Sequence, residues 1–158
     1  MMQGRKRTKI TIEKSSAPII PLRFEDMVLD SDNGQKAYTH RLRYRNVPTV
    51  KQIKSGKGVL ANRDDIVRDI HQRLTLLPKN KSKLNYFSGL VIYFQYLDGI
   101  GYHGDFFANA VMIDCLKHFN KLREKGEQVS AAAQIKNSLS FLLRQWNREA
   151  AHLSRVIY

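Results

Sequence analysis

The chain has 158 residues, enough for one domain of ordinary size with an extension, and its 42% hydrophobic content is typical of globular proteins. Its 27 Lys and Arg against 14 Asp and Glu leave a net charge of +13, which favours polyanionic partners such as nucleic acid or anionic lipid. The single cysteine, Cys115, excludes an internal disulfide framework and a multi-cysteine zinc site.

The sequence carries no signal for a membrane or for an exported protein. No apolar run approaches the length of about 18 residues that a membrane-spanning helix needs. The basic amino end lacks the apolar segment of a secretory signal. We therefore expect a cytoplasmic protein with no membrane partner, no small-molecule substrate, no metal and no cofactor.

Residues 1–60 differ in composition from the rest of the chain. They hold 13 Lys and Arg against 5 acids, and three of the four prolines. Alternating apolar and polar residues predict short strands at Lys9–Glu13 and around Tyr38–Tyr44. We interpret this part as a basic, partly extended N-terminal segment. Its candidate phosphate-tracking cations are Arg5, Lys6, Arg7, Arg41, Arg43 and Arg45. A solubilising tail explains the first three of them equally well.

A helical period begins after Asn62, which we predict to cap a first helix. Its apolar stripe recurs every three or four residues, and Pro78 ends it. We expect His71, within this helix, at the surface or at its boundary. The stripe consists of Ile66, Ile70, Leu74 and Leu77.

Two further helices follow. The one from Leu84 to about Asp98 is rich in aromatic residues on several sides, so it should be the most buried. The next runs from near Ala108 to Lys125, with Gly126 as the residue that terminates it in a left-handed conformation.

The last helix is predicted from Ser130, its cap, to Glu149. Its apolar stripe is Ala131, Ile135, Leu139, Leu142 and Trp146. The opposite face carries Lys136, Ser140, Arg144, Asn147 and Arg148. Residues 61–158 are therefore predicted to form a compact four-helix bundle, and the fold class is mainly α.

The pattern from Asp65 to Glu149 resembles the core-binding domain of phage integrases, the tyrosine site-specific recombinases. The matching pieces are Ser82–Tyr86, Tyr93–Gly101, Leu122–Gly126 and Ile135–Leu143. The resemblance implies a SAM-like helical domain that forms half of a clamp around a recombination site, with helices entering adjacent major grooves. It implies double-stranded DNA as the partner, together with other recombinase protomers on that DNA.

The resemblance also implies which side chains face the DNA. Lysines and helix N-terminal amides hold phosphates, whereas Gln and Asn are the residue types that bind adenine edges in a bidentate manner. The alternative for each position is a solvated polar residue. By position the expected DNA-facing residues are Lys81, Ser82, Lys83, Gln134, Lys136, Asn137, Ser140 and Arg144, and the basic face of the last helix adds Arg148.

The chemistry of that family is missing from this chain. Its catalytic half carries an Arg, a Lys, a His-x-x-Arg and a nucleophilic Tyr in a separate domain. Here His152, Arg155 and Tyr158 repeat that pattern only superficially, because the Tyr follows the Arg by three residues. We therefore expect no catalytic residues and no enzyme in this chain, which would be a fragment of an integrase or a DNA-binding relative without the catalytic domain.

Two other function classes fit the same sequence. The first is a helical regulator or adaptor that binds a protein partner, with an incidental basic arm. The second is an RNA-binding protein, favoured by the basic, Tyr-containing segment Arg41–Arg45. Retention on duplex DNA at moderate salt separates the first from DNA binding, and competition between single-stranded RNA and duplex DNA separates the second.

Overall fold

A computed structural model describes residues 20–78 and 81–154, and these are mainly helical, as predicted. Within them, every helix falls short of the length or the apolar character needed to cross a membrane. The strand predicted at Lys9–Glu13, the cations Arg5, Lys6 and Arg7, and the terminal Arg155 and Tyr158 lie outside the described residues. The elements are β1 (Val28–Asp30), β2 (Lys36–Tyr38), α1 (Val50–Lys54), α2 (Asp64–Thr75), α3 (Lys81–Gly99), α4 (Asn109–Glu124), α5 (Ala131–Gln145) and α6 (Ala151–Ser154).

The two strands form an antiparallel hairpin, in which Leu29 lies opposite Ala37. The strand predicted around Tyr38–Tyr44 is wrong beyond Tyr38, because Thr39–Arg43 is a 3-10 helix. Thr39, the first residue of this 3-10 helix, is buried, and its Oγ1 donates to the carbonyl oxygen of Met27 at 3.1 Å.

Helix α2 starts one residue later than a cap at Asn62 allows, so that prediction is wrong. Asn62 has a φ of +56°, and the capping position belongs to Arg63, whose side chain makes no cap hydrogen bond. The guanidinium of Arg63 is directed into the protein instead. The prediction of His71 at the surface or at its boundary is wrong, since the residue is 3% exposed. A hydroxyl satisfies its buried ring, with Thr39 Oγ1 2.7 Å from Nδ1.

Helices α3 and α4 match the prediction. Tyr93, Phe94 and Leu97 on α3 have no exposed surface, so this helix forms the centre of the core. Helix α4 ends as predicted at Gly126, which has a φ of +79°. The amide of Glu127 donates to the carbonyl oxygen of Leu122 at 2.8 Å, a pattern that closes helix C-termini.

Helix α5 buries Ala131, Ile135, Leu139 and Leu142 of the predicted apolar stripe but ends at Gln145, four residues before the predicted end. Trp146, the last residue of the stripe, follows the helix and is half-buried. Asn147 has a φ of +56°, and the amide of Arg148 donates to the carbonyl oxygen of Leu143 at 2.7 Å. This left-handed C-terminal turn removes Arg148 from the helix. Ser130 occupies the capping position, as predicted, but its side chain makes no cap hydrogen bond.

The two central helices, α3 and α5, pack closely at Gly89. A Cβ atom at this position would lie 2.6 Å from the carbonyl oxygen of Gln134 and closer still to Ser138 Oγ. Ser138 Oγ donates to the carbonyl oxygen of Tyr86 at 2.8 Å across the same contact. Only glycine fits here, and the backbones approach more closely than ordinary side chains permit.

Residues 20–60 pack against the helices. Their apolar side chains belong to the same buried cluster as those of α2 to α5, and α3 contacts both strands and the 3-10 helix. The division of the chain at residue 60 stays a prediction; the core itself is continuous across that position. The four contributed side chains are Met27, Leu29, Leu42 and Val47.

Candidate nucleic-acid interface

The first turns of α3, the outer face of α5 and the last residue of α6 enclose an open groove of about 570 Å³. We call it the polar groove. It gathers six of the residues predicted to face DNA: Ser82, Gln134, Lys136, Asn137, Ser140 and Arg144. Asn85, Tyr86, Ser130 and Ser154 complete its lining.

The chemistry of the polar groove is cationic and rich in hydrogen-bonding groups. Lys136 and Arg144 supply the charges, and no acidic residue lines the groove in the described part of the chain. Carboxamides lie on both walls, from Asn85 on α3 and from Gln134 and Asn137 on α5. Such a lining can bind phosphate through its cations and base edges through its amides.

The helical period explains why these residues share one face. Lys136, Ser140 and Arg144 follow one another at intervals of four along α5, and the apolar stripe faces the other way. Phe141 is the exception on the polar side. It is 6% exposed, and its ring stacks on Tyr86 with centroids 4.6 Å apart. This aromatic pair joins the α3 and α5 walls.

Two predicted residues are more buried than a DNA contact suggests. Ser140 lines the groove but is only 7% exposed, so it presents little surface. Lys83 is 4% exposed and does not line the groove. Its charge is near His71, whose pKa is lowered mainly by burial and further by Lys83. Lys81, the remaining cation of this predicted set, is the first residue of α3.

Arg148 lies beside the polar groove. Its Nη2 donates to the carbonyl oxygen of Phe107 at 2.8 Å, which fixes the guanidinium at the turn after α5. It lines a smaller cleft of about 270 Å³ that shares Ser140, Arg144 and Ser154 with the groove. Glu149 also lines this cleft, so the cationic character weakens here.

The N-terminal arginines have separate positions. Arg41 Nε donates to the carbonyl oxygen of Pro48 at 2.8 Å, and Arg43 pairs with Asp64 at 2.9 Å. That hydrogen bond lowers the pKa of the Asp64 carboxyl. Arg45 is exposed. None of these three lines the polar groove, so the described arginines of the N-terminal segment do not extend it.

Sequence reasoning missed Asn85 as a groove residue. It follows Ser82 by three positions, which puts both on one face of a helix. The close contact at Gly89 determines which face of α3 packs against α5. The sequence alone does not show that contact, so it does not show that Asn85 lies in the groove.

Comparisons of the chain with family models, with curated proteins and with solved structures give no match. The chemistry of the polar groove is therefore inferred from its own side chains. A ligand of the polar groove must match its cations and its carboxamides, which no acid accompanies among the described lining residues.

Proposed function

We propose that this chain is a double-stranded DNA-binding module of a phage-integrase-type site-specific recombinase, and that the polar groove contacts the DNA. The observation that carries the proposal is the lining of this groove. Two cations and three carboxamides converge there without a lining acid in the described residues, on a chain with a net charge of +13.

The charge supports a polyanionic ligand. A cation that neutralises a phosphate releases condensed counterions, and each such contact adds about 0.9 to the slope of log K against log salt. Lys136 and Arg144 are eight residues apart on α5, about 12 Å along its axis, so they can contact two different phosphates of the backbone. Contacts with phosphates supply affinity for DNA without a preference for its sequence.

The carboxamides support recognition of base edges. Asn137 is exposed and Gln134 is half-buried, and both project from the α5 wall of the groove. Side chains of these types bind the N6 and N7 positions of adenine in the major groove. Asn85 on the opposite wall has the same chemistry. The groove therefore combines phosphate positioning with a means of base discrimination.

The resemblance to integrase core-binding domains supports the proposal that the chain is a module of a site-specific recombinase. In such a protein, strand breakage and rejoining belong to a separate catalytic domain. The proposed contribution of this chain is to hold one side of the recombination site, next to other protomers on the same DNA. We assign no step of the reaction to its own residues.

The test measures binding to a fluorescent duplex over a series of salt concentrations. Lys136→Gln with Arg144→Gln removes both groove cations and keeps much of each side chain's bulk. Lys117→Gln with Lys121→Gln is the matched control, because these exposed lysines lie on α4, away from the groove. We expect the groove variant to weaken binding and to reduce the salt slope by roughly 1.8, about 0.9 for each cation.

Both variants should melt at nearly the parent temperature, since surface substitutions change stability by about 0.5 kcal/mol or less. Equal binding by the groove variant and the control variant would reject the polar groove as the DNA surface. Competition with single-stranded RNA belongs in the same titration. RNA that displaces the duplex at equal concentration would favour an RNA-binding protein instead.

A second candidate function is binding to a protein partner. It is favoured by a cleft of about 430 Å³ between α3 and α4, where Ile100 is 56% exposed and lies with Tyr96 and Phe119. Exposed apolar surface of this kind is common at protein interfaces. A sedimentation measurement with and without duplex DNA separates the candidates, because an adaptor would show no DNA-dependent change.

A further inference from the structure

A second cationic cleft lies at the opposite end of α3 from the polar groove. It has a volume of about 320 Å³ and is formed by the chain on either side of α1. We call it the basic corner. Its lining residues are Arg45, Asn46, Pro48, Gln52, Lys57 and Val59.

The basic corner is built by backbone hydrogen bonds. The amide of Arg45 donates to the carbonyl oxygen of Val59 at 2.7 Å, and Tyr44 forms an isolated bridge with Leu60. These contacts bring the cations Arg45 and Lys57 to one cleft. The loop between the paired segments contains α1, which begins with a complete capping box between Thr49 and Gln52.

A sharp turn fastens the basic corner to the core. Asn46 and Val47 have φ values of +62° and +42°, a conformation that is unfavourable for a β-branched residue. Burial of the Val47 side chain, which is 2% exposed, holds the turn in place. The amide of Asn46 donates to Asp98 Oδ2 at 2.7 Å, so the corner is attached directly to α3.

The charges of the basic corner are available for a ligand. Arg45 and Lys57 are exposed. Lys51 and Lys54, on α1, are exposed as well, and Lys54 Nζ lies 5.7 Å from the ring centroid of Phe24. None of the ion pairs in the described part of the chain involves these four cations. No acid lines the cleft among the described residues. Two exposed cations in one cleft that no described acid lines favour binding of an anion.

The basic corner is separate from the polar groove. Asp98, which holds the corner, lies 12 residues beyond Tyr86, which lines the groove. In an α-helix this is about 18 Å along the axis and roughly 120° around it. One phosphate group cannot contact both sites. A ligand that uses both must present phosphates over a distance of this order, as a nucleic-acid backbone does.

We propose that the basic corner is a second phosphate-binding surface that takes the sugar-phosphate backbone of duplex DNA. The proposal rests on the proposed function, because the same polyanion is its ligand. Arg45 and Lys57 bind phosphate oxygens inside the cleft. The backbone belongs either to a distant part of the duplex in the groove or to a second duplex.

The test compares five proteins on hairpin duplexes whose stems have about 5 and about 30 base pairs. At a rise of about 3.4 Å per base pair the short stem is about 17 Å long, less than the separation of about 18 Å between the sites, whereas the long stem exceeds that separation several times. The proteins are the parent, the groove variant, the α4 control variant, the corner variant (Arg45→Gln with Lys57→Gln) and a charge-preserving variant (Arg45→Lys with Lys57→Arg). We expect the corner variant to bind the long duplex more weakly than the control variant does. Its salt slope should fall by roughly 1.8, whereas the charge-preserving variant should bind nearly as tightly as the parent.

The duplex lengths distinguish the two sources of backbone. A loss confined to the long duplex supports contact with the same DNA molecule. A loss of complexes that hold two short duplexes supports contact with a second molecule. The corner variant should melt like the parent, because its changed side chains are exposed and the backbone bonds remain.

The two proposals fail in different ways. A parent protein that binds neither duplex overturns both of them. If the groove variant loses affinity and the corner variant equals the α4 control, the basic corner is rejected and the proposed function stands. If only the corner variant loses affinity, the basic corner stands and the polar groove is rejected.

Discussion

Asp98 accepts two hydrogen bonds from the guanidinium of Arg63, at 2.8 Å and 3.1 Å, and both side chains are nearly inaccessible, at 9% and 1% exposure. Arg63 also donates to the carbonyl oxygens of Leu42 and Tyr44, at 2.6 Å and 2.8 Å. Its guanidinium lies 4.7 Å from the ring centroid of Phe94. Because the Arg63 cation is buried, the stability of the fold depends on each of these partners.

We predict that Asp98→Ala destabilises the protein by about 3–5 kcal/mol, because it leaves the Arg63 cation buried without its counter-charge. Urea unfolding followed by circular dichroism measures the change. Asp65→Ala is the control, since Asp65 is fully exposed and pairs with Arg68 at the surface, where a pair contributes about 0–1 kcal/mol. Similar losses in the two variants would contradict the structural role assigned to Asp98.

The close contact at Gly89 gives a second prediction. Gly89→Ala should destabilise the protein by about 1–3 kcal/mol, because the added methyl group must push α3 away from α5. Gly99→Ala is the matched control, since no atom lies within 4 Å of a Cβ at that position. It should be neutral or slightly stabilising, as Ala is favoured over Gly in helices. Thermal unfolding of both variants checks the difference.

The Gly89→Ala substitution should also separate the walls of the polar groove. Ser138→Ala in the same chain removes one of the two obstructing groups and leaves the carbonyl of Gln134, so we expect partial recovery of stability. A Gly89→Ala protein as stable as the parent would show that the helices can relax without cost.

A third prediction separates the two kinds of side chain in the polar groove. Asn137→Ala should change which base pairs are preferred, by about 1–3 kcal/mol at the affected position, with the salt slope unchanged. Lys136→Ala should weaken binding to all sequences and lower the slope by about 0.9. Selection from a randomised duplex pool, followed by titration at several salt concentrations, measures both. A change in salt slope with Asn137→Ala would assign that residue to the backbone.

The fourth prediction concerns His71 and pH. Thr39 Oγ1 donates its proton to the carbonyl oxygen of Met27, so it can accept a hydrogen bond from His71 Nδ1, 2.7 Å away. Burial and, to a smaller extent, the nearby charge of Lys83 lower the pKa of His71 below 6.5. The unfolded chain therefore binds more protons below this pH, and the free energy of unfolding decreases as the pH falls.

We expect the slope of that decrease to reach at most about 1.4 kcal/mol per pH unit for each such histidine. His71→Gln should reduce the slope between neutral pH and mildly acidic pH, compared with the exposed control His103→Gln. His40, whose pKa is lowered mainly by burial, keeps part of the slope in both proteins. Equal slopes in the two variants would mean that His71 is free to take up a proton when folded.

The sequence predicts the helices well, because their apolar residues recur at the period of an α-helix. Leu139 and Leu142 are buried as expected, and Gly126 ends α4 in the predicted conformation. The early end of α5 has a signal that was available, since Asn147 is a residue type that tolerates the left-handed conformation. Because the apolar pattern continues through Trp146, the sequence predicts a helix that extends past this signal at Asn147.

The polar interior could not be predicted in the same way. Arg63, His71 and Lys83 are residue types that usually face solvent, yet all three are buried. The burial of Arg63 and His71 depends on partners far away in the sequence. Arg63 needs a carboxylate 35 positions later, and His71 needs a hydroxyl 32 positions earlier. No local period carries that information. The polar groove was partly predicted, because its α5 wall follows from one helix alone.

The continuous core across residue 60 has a consequence for how the chain unfolds. Met27, Leu29, Leu42 and Val47 pack in the same buried cluster as the side chains of α3. A protein trimmed to the helices would expose that apolar surface to water and lose the carbonyl partners of Arg63. The smallest piece that folds independently therefore includes the hairpin, and heat or denaturant should unfold both parts in one cooperative transition.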